Sequence, residues 1–170
     1  MLQALDRRDF DRVYEIMSLS FPDDEYRPFE EQKALLEDED YRIMTYQEDS
    51  IAAFLAVWEL DGFTFVEHFA THPSFRNKGL GEKMLKELIA SSKKPICLEV
   101  ELPENEISIR RIGFYERCGL HLNNYPYVQP SISKGRSPVP LMIMTSRRTI
   151  SSEEFEELKN NLYRKVYKIK

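Results

Sequence analysis

One stretch restricts the fold of this chain more than any other: between Phe63 and Leu102 a strand, a glycine-bearing turn, a helix and a second strand follow in direct succession. Leu80, Met84, Leu85, Leu88 and Ile89 recur at helical spacing between Gly79 and Ala90, with Lys83, Lys86 and Glu87 on the opposite side. Ser91-Ser92-Lys93-Lys94-Pro95 breaks that pattern. Ile96, Leu98, Val100 and Leu102 then alternate with Cys97, Glu99 and Glu101, which gives a strand with one apolar face. Two adjacent strands joined through a helix run parallel, with a right-handed crossover.

The rest of the chain surrounds this unit with antiparallel signals. Phe10, Val13, Ile16, Met17 and Leu19 predict a first helix that stops at Phe21-Pro22-Asp23-Asp24, and a shorter helix is expected from about Phe29 to Glu37. Strands over Tyr41–Tyr46 and Ile51–Leu60 flank a polar link of hairpin length, and Asp61-Gly62 turns the chain into the Phe63–Thr71 strand. Ile107 to Cys118 reads as a helix stopped by Gly119. Leu120–Val128 and Val139–Thr145 read as two more strands. Ser151-Ser152-Glu153-Glu154 has capping-box spacing and opens a final helix over 151–168, with Phe155, Leu158, Leu162, Val166 and Ile169 on one side. That stripe is expected to cover the chain's own core. A length of 170 residues predicts a single domain, 1–170, of mixed α/β class: a mostly antiparallel sheet with one parallel pair.

Composition excludes several classes of function. With 24 basic and 29 acidic side chains the formal net charge is -5, which argues against a protein that neutralises nucleic-acid phosphates. The longest apolar run, Ile51 to Trp58, is far short of a membrane span. The N-terminus lacks the basic start and apolar run of a secretory signal. Cys97 and Cys118 form neither a CxxC pair nor a disulfide framework, so a reducing, cytoplasmic setting is expected. His68, His72 and His121 lack metal-ligand spacing, and no metal is expected.

Thr71-His72-Pro73-Ser74-Phe75-Arg76-Asn77-Lys78-Gly79-Leu80-Gly81 joins the Phe63 strand to the most regular helix. Two glycines at a helix N-terminus allow close backbone approach, and the unpaired N–H groups and dipole there favour an anion such as pyrophosphate. The pattern is neither a P-loop nor a dinucleotide fingerprint. Taken alone, Gly79 and Gly81 are equally consistent with a tight strand-to-helix connection.

In Arg76, Gly79 and Gly81, in the order of elements over about 145 residues, and in Gly113-Phe114-Tyr115-Glu116-Arg117-Cys118-Gly119-Leu120, the sequence resembles the GNAT superfamily of acyl-coenzyme A dependent N-acetyltransferases. The resemblance implies the GNAT fold. It further implies that the amides of Arg76, Asn77, Lys78, Gly79, Leu80 and Gly81 bind the pyrophosphate of acetyl-coenzyme A. Backbone groups of Phe69, Ala70 and Thr71 would pair with the pantetheine arm, between splayed parallel strands. Where relatives often carry Asn and Ala, seven and four residues before the tyrosine, this chain has Ser108 and Arg111, which take those two positions along the arm.

The implied chemistry needs two proton transfers. An ammonium with a pKa of about 10 must lose its proton before attacking the thioester, and the departing thiolate must gain one. Tyr115 matches the family's acid. Glu99 and Glu67, on the two strands that border the cleft, are the candidate bases, with ordered water as the alternative route for the proton, and strand alternation puts Glu67, Phe69 and Thr71 on one face. The acceptor is expected to be a primary amine of a small molecule or of a protein or peptide, drawn by Asp23, Asp24, Glu25 and the strand carboxylates. A homodimer is compatible with this reading. A non-catalytic acyl-coenzyme A sensor is the alternative.

Overall fold

The computed structural model describes residues 2–169; Met1 and Lys170, which the expected domain 1–170 includes, lie outside them. Seven strands form one sheet: β1 (Gln3–Ala4), β2 (Tyr41–Gln47), β3 (Ile51–Glu59), β4 (Thr64–Thr71), β5 (Ile96–Glu101), β6 (Leu120–Gln129) and β7 (Val139–Ser146). Their spatial order is β1-β2-β3-β4-β5-β7-β6, and β4–β5 is the single parallel pair among antiparallel neighbours. Helices are α1 (Phe10–Ser20), α2 (Phe29–Ala34), α3 (Leu80–Ser91), α4 (Glu106–Arg117) and α5 (Ser152–Lys165). This is the mixed α/β GNAT fold expected from the sequence. The two-residue strand β1 was too short to leave a periodic signal.

The sheet is covered on both faces because its interior strands are apolar on both. Phe54, Ala56 and Trp58 of β3 pack with Val13, Ile16 and Met17 of α1 and with Phe155, Leu158 and Leu162 of α5. Ala53, Leu55 and Val57 pack with Met84, Leu85 and Leu88 of α3 and Ile112 of α4. Complete burial of the larger aliphatic and phenylalanine side chains among these contributes about 1.5–3 kcal/mol each.

Two local departures from regular sheet shape the centre of the molecule. Parallel pairing of β4 with β5 runs only from Thr64↔Ile96 to Val66↔Leu98, after which the strands part. At the same place β4 bulges: Val57 of β3 faces Val66 and Ala56 faces His68, so Glu67 is an extra residue. A bulge adds local twist and turns the chain away from its neighbour. It also resets the alternation. Phe65 and Ala70 face α1 and α5, whereas Val66 and Phe69 face α3 and α4. Glu67 reaches Trp58 and Arg27 on the α1 side, so it does not share a face with Phe69 and Thr71, contrary to the simple period of two.

The final helix is also shorter than 151–168. Ser151 caps α5 in a full capping box, and the helix stops at Lys165. Beyond it Tyr167 N–H donates to Leu162 O, Lys168 adopts φ 58°, and Ile169 N–H donates back to Tyr163 O. The chain thereby turns inward: Val166 and Tyr167 are buried, while Ile169, the last member of the expected stripe, is exposed.

Candidate active site

The parting of β4 and β5 opens a cleft through the sheet, and the turn between β4 and α3 forms one end of it. Asn77 (φ 64°) and Gly79 (φ 73°) are both left-handed, which folds the chain back at the start of α3. Gly79 suits this conformation because it has no Cβ to clash. No side chain caps α3, and its first intrahelical donor is Lys83 N–H, to Gly79 O at 3.2 Å. The amides of Leu80, Gly81 and Glu82 are therefore the unpaired donors of the first turn. They line a cleft of about 540 Å³ whose wall also carries Arg76, Arg110, Arg111 and Arg117. Gly81 is narrowly constrained: a Cβ there would lie 3.2 Å from the Phe69 ring and 3.8 Å from Thr71 Oγ1.

Arg76 has a definite structural task. Its Nε donates to Thr71 O at 3.0 Å and its Nη2 to Ser20 Oγ at 3.3 Å, tying the turn to the ends of β4 and α1. Asn77 and Lys78 are exposed, with Lys78 Nζ 5.4 Å above the Phe75 ring. Beyond Val66, β4 pairs only with β3, so Glu67 to Thr71, including Phe69 and Ala70, have no partner on the β5 side.

A second cleft of about 550 Å³ adjoins the first across Thr71, Arg76, Gly81, Arg111 and Phe114. Its lining changes character: Glu25, Glu99, Glu101 and Tyr115 stand among Leu19, Phe21, Phe69 and Val100. At its floor, between the parted strands, a small cavity is shared by Glu25, Glu67, Glu99 and Tyr115. Three of the sequence candidates thus meet in one place, and Glu25 joins them.

The two candidate bases occupy opposite environments. Glu67 has a side chain only 2% exposed; Arg27 Nη2 lies 3.0 Å from its Oε2, and Trp58 Nε1 donates to its Oε1 at 2.8 Å. Burial alone would raise this carboxyl, but Arg27 and its hydrogen bonds hold it below its ordinary range. Among the described residues Glu99 has no cationic partner. Burial pushes its carboxyl up to about 7, against the pull of two phenol donors, Tyr127 at 2.5 Å and Tyr167 at 2.7 Å, with Glu67 and Glu25 adding repulsion. Glu25 is also pushed up to about 7, by burial and then by Glu101. Its backbone is fixed by His68, whose Nε2 lies 2.7 Å from Glu25 O; burial lowers the His68 pKa, so the neutral ring donates this bond.

Tyr115 stands on α4, which Asn105 caps by accepting from Ser108 N–H at 2.9 Å. Burial raises its phenol to about 12, so it keeps its proton at neutral pH. Ser108 does not open to the cleft: it is 2% exposed and its hydroxyl donates to Glu101 Oε2 at 3.1 Å. Arg111, 3.5 Å from Glu101 Oε1, lines both clefts. Sequence reasoning gave Tyr127 and Tyr167 no place here, because only the tertiary fold brings them to Glu99. Pro126 was the available signal for Tyr127, since proline inside a strand marks a bulge. Between Asn123↔Ile143 and Tyr127↔Leu141, β6 carries two extra residues, which moves Tyr127 into line. Among the described residues no helix is long and apolar enough to cross a membrane, and no group of three metal-ligating side chains occurs.

Comparison with known proteins agrees with this fold. A family model described as acetyltransferase (GNAT) family matches residues 10–120. A search of curated proteins finds no match. A solved structure from Bacteroides thetaiotaomicron, assigned to the GNAT family, is 32% identical over 100% of this chain and 99% of its own, with a TM-score of 0.91. The ribosomal-protein-S18-alanine N-acetyltransferase of Escherichia coli shares the fold at 20% identity and a TM-score of 0.63, covering 90% of this chain and 96% of its own. A chimera of Vibrio cholerae spermidine N-acetyltransferase and hSSAT shares it at 16% identity and a TM-score of 0.64, covering 86% and 94%. A family match from α1 to the start of β6, and a 32% identical relative along the whole chain, lead to one conclusion: the protein belongs to the acetyltransferase (GNAT) family.

Proposed function

We propose that the protein transfers an acetyl group from acetyl-coenzyme A to a primary amine by direct attack in a ternary complex. The observation that carries this reading is the polarity of the joined clefts: an uncapped helix start and four arginines at one end, the half-buried carboxyls of Glu25 and Glu99 and a protonated tyrosine at the other. The donor set fits a pyrophosphate, since unpaired amides and a helix dipole favour an anion and arginines add charge-assisted bonds. Leu80, Gly81 and Glu82 would hold it through their amides, with Arg111 at the junction of the clefts; Asn77 and Gly79 shape the turn. The free edge of Phe69, Ala70 and Thr71 offers backbone groups to the pantetheine arm. Bound acetyl-coenzyme A supplies a thioester whose carbonyl a neutral amine can attack.

Glu99 is the base in this reading. An ordinary carboxylate lies roughly six pKa units below an ammonium, and a carboxyl near 7 narrows that gap to about three. Glu25, on the opposite lip, draws the ammonium into place. Tyr115 retains its proton and donates it toward the departing sulfur. Glu67 serves the fold, because it is buried against the Arg27 guanidinium and held below its ordinary range, which makes it a weak acceptor for a substrate proton. Ser108 serves α4 and Glu101 in the same way.

Tyr115→Phe tests the assignment. Affinity for acetyl-coenzyme A should stay within about twofold while kcat toward a responsive amine pool falls about 100-fold. Tight binding by the parent protein with no turnover on any pool would favour the sensor reading.

A further inference from the structure

We propose that Tyr167, carried into the site by the chain beyond α5, is a positioning residue that fixes the Glu99 carboxyl for proton removal from the acceptor amine. This rests on Glu99 acting as the base. Both carboxylate oxygens are in reach of the Tyr167 hydroxyl, at 2.7 Å and 2.8 Å, and Tyr127 holds Oε2 from the β6 side. The two phenols approach from different elements, so together they fix the carboxyl plane. Glu99 nevertheless borders the acceptor cleft.

Several contacts make Tyr167 a built feature of this chain. Val166 O lies 3.4 Å from Arg27 Nη2, the guanidinium that also holds Glu67. Lys168 takes a left-handed turn, with its Nζ 5.2 Å above the Trp58 ring and 3.4 Å from Asp38 Oδ2. Tyr167 is only 8% exposed, yet its hydroxyl has been delivered to a carboxyl rather than to solvent. Val166, Tyr167 and Lys168 themselves lie outside residues 10–120, where the family pattern is matched, although the residues they contact lie within it.

The groups facing Glu99 are Tyr127 of β6, Tyr167 of the C-terminal segment, Glu67 of β4 and Glu25 of the turn after α1, with Cys97 of β5, Tyr163 of α5 and Tyr115 of α4 nearby. Among them only the two phenols donate to the carboxylate, and a donor to the charged form lowers its pKa. Removing one therefore moves the carboxyl toward higher pH.

The experiment uses Tyr167→Phe and Tyr127→Phe, which keep the rings. The Glu99 side-chain carbon is titrated by NMR in ¹³C-glutamate-labelled protein without substrate, assigned with Glu99→Gln. In parallel, kcat/KM is measured against pH. The expected result is an upward move of the Glu99 midpoint in each variant, with kcat/KM down about tenfold at pH 6.5 and recovered to within about twofold at pH 9. An unchanged midpoint in Tyr167→Phe overturns the proposal. A moved midpoint with a pH profile identical to that of the parent also overturns it, because the clamp would then not serve the reaction. If Glu99→Gln retains full activity, the base assignment fails and the proposal with it, even where the titration shows the clamp intact.

Discussion

Two glutamates on facing strands show how far chemistry depends on what surrounds a side chain. Glu67 and Glu99 are equivalent by residue type and by strand position, yet one is clamped by a guanidinium and the other by two phenols. Replacing one member of a buried ion pair leaves an uncompensated charge, which costs about 3–5 kcal/mol. Glu67→Gln should therefore lower the urea-unfolding free energy by that amount while the folded protein retains turnover, its pH profile moved toward lower pH because Glu67 no longer repels the Glu99 charge. An unchanged stability with collapsed kcat/KM would return Glu67 to the role of base. Tyr115 and Gly81 stood out in the sequence because motifs and their spacing mark them, and Glu99 only as one of two candidate carboxylates on the strands beside the cleft. The partners that decide their chemistry did not. Arg27 is 40 residues from Glu67, and Tyr167 is 68 residues from Glu99. Glu25 was visible only as one of three acids in a row, and its burial against His68 and the cleft singles it out.

At the scale of elements, periodicity identified the helices and the long strands because burying one face selects residues at fixed spacing. It missed what breaks the period. The bulge at Glu67 is an event of the backbone pairing with β3, and no residue type announces it; it reverses the face of every later residue in β4 and accompanies the parting from β5. The end of α5 was misjudged for a related reason. Val166 continues the apolar stripe, but the inward turn at Lys168 follows from contacts to Asp38 and Trp58 that lie far away in sequence. The turn into α3 was legible, since glycine beside a helix start has few other uses. Its prediction belongs here: Gly81→Asp puts a Cβ against Phe69 and a negative charge beside the unpaired amides of the first turn. The Phe69 ring is the end of a side chain and can shift by a few tenths of an ångström. The variant should therefore fold, and its affinity for acetyl-coenzyme A should fall at least 100-fold.

For the whole molecule, charge is divided along the cleft, with arginines at the α3 end and carboxyls at the end bordered by α1. That division has a stability consequence. The Glu99 carboxyl titrates near 7 in the folded protein and near its ordinary 4.5 when unfolded, so the folded state holds the proton more tightly. Its contribution to stability is fully present below pH 4.5 and is lost as pH rises through 7, a change on the order of 3 kcal/mol. Glu25 titrates over the same window in the same direction. Because glutamine does not titrate, Glu99→Gln should gain stability relative to the parent at pH 8 compared with pH 4.5, as read by urea midpoints at both values. An equal difference at the two pH values would contradict the assigned titration. The claim underlying all of this is that the start of α3 and its arginines hold acyl-coenzyme A. Calorimetric titration of the parent protein and Gly81→Asp with acetyl-coenzyme A tests it most directly. One tight site is expected in the parent and an affinity at least 100-fold weaker in the variant; no heat from the parent, or equal affinity in both, would overturn the assignment.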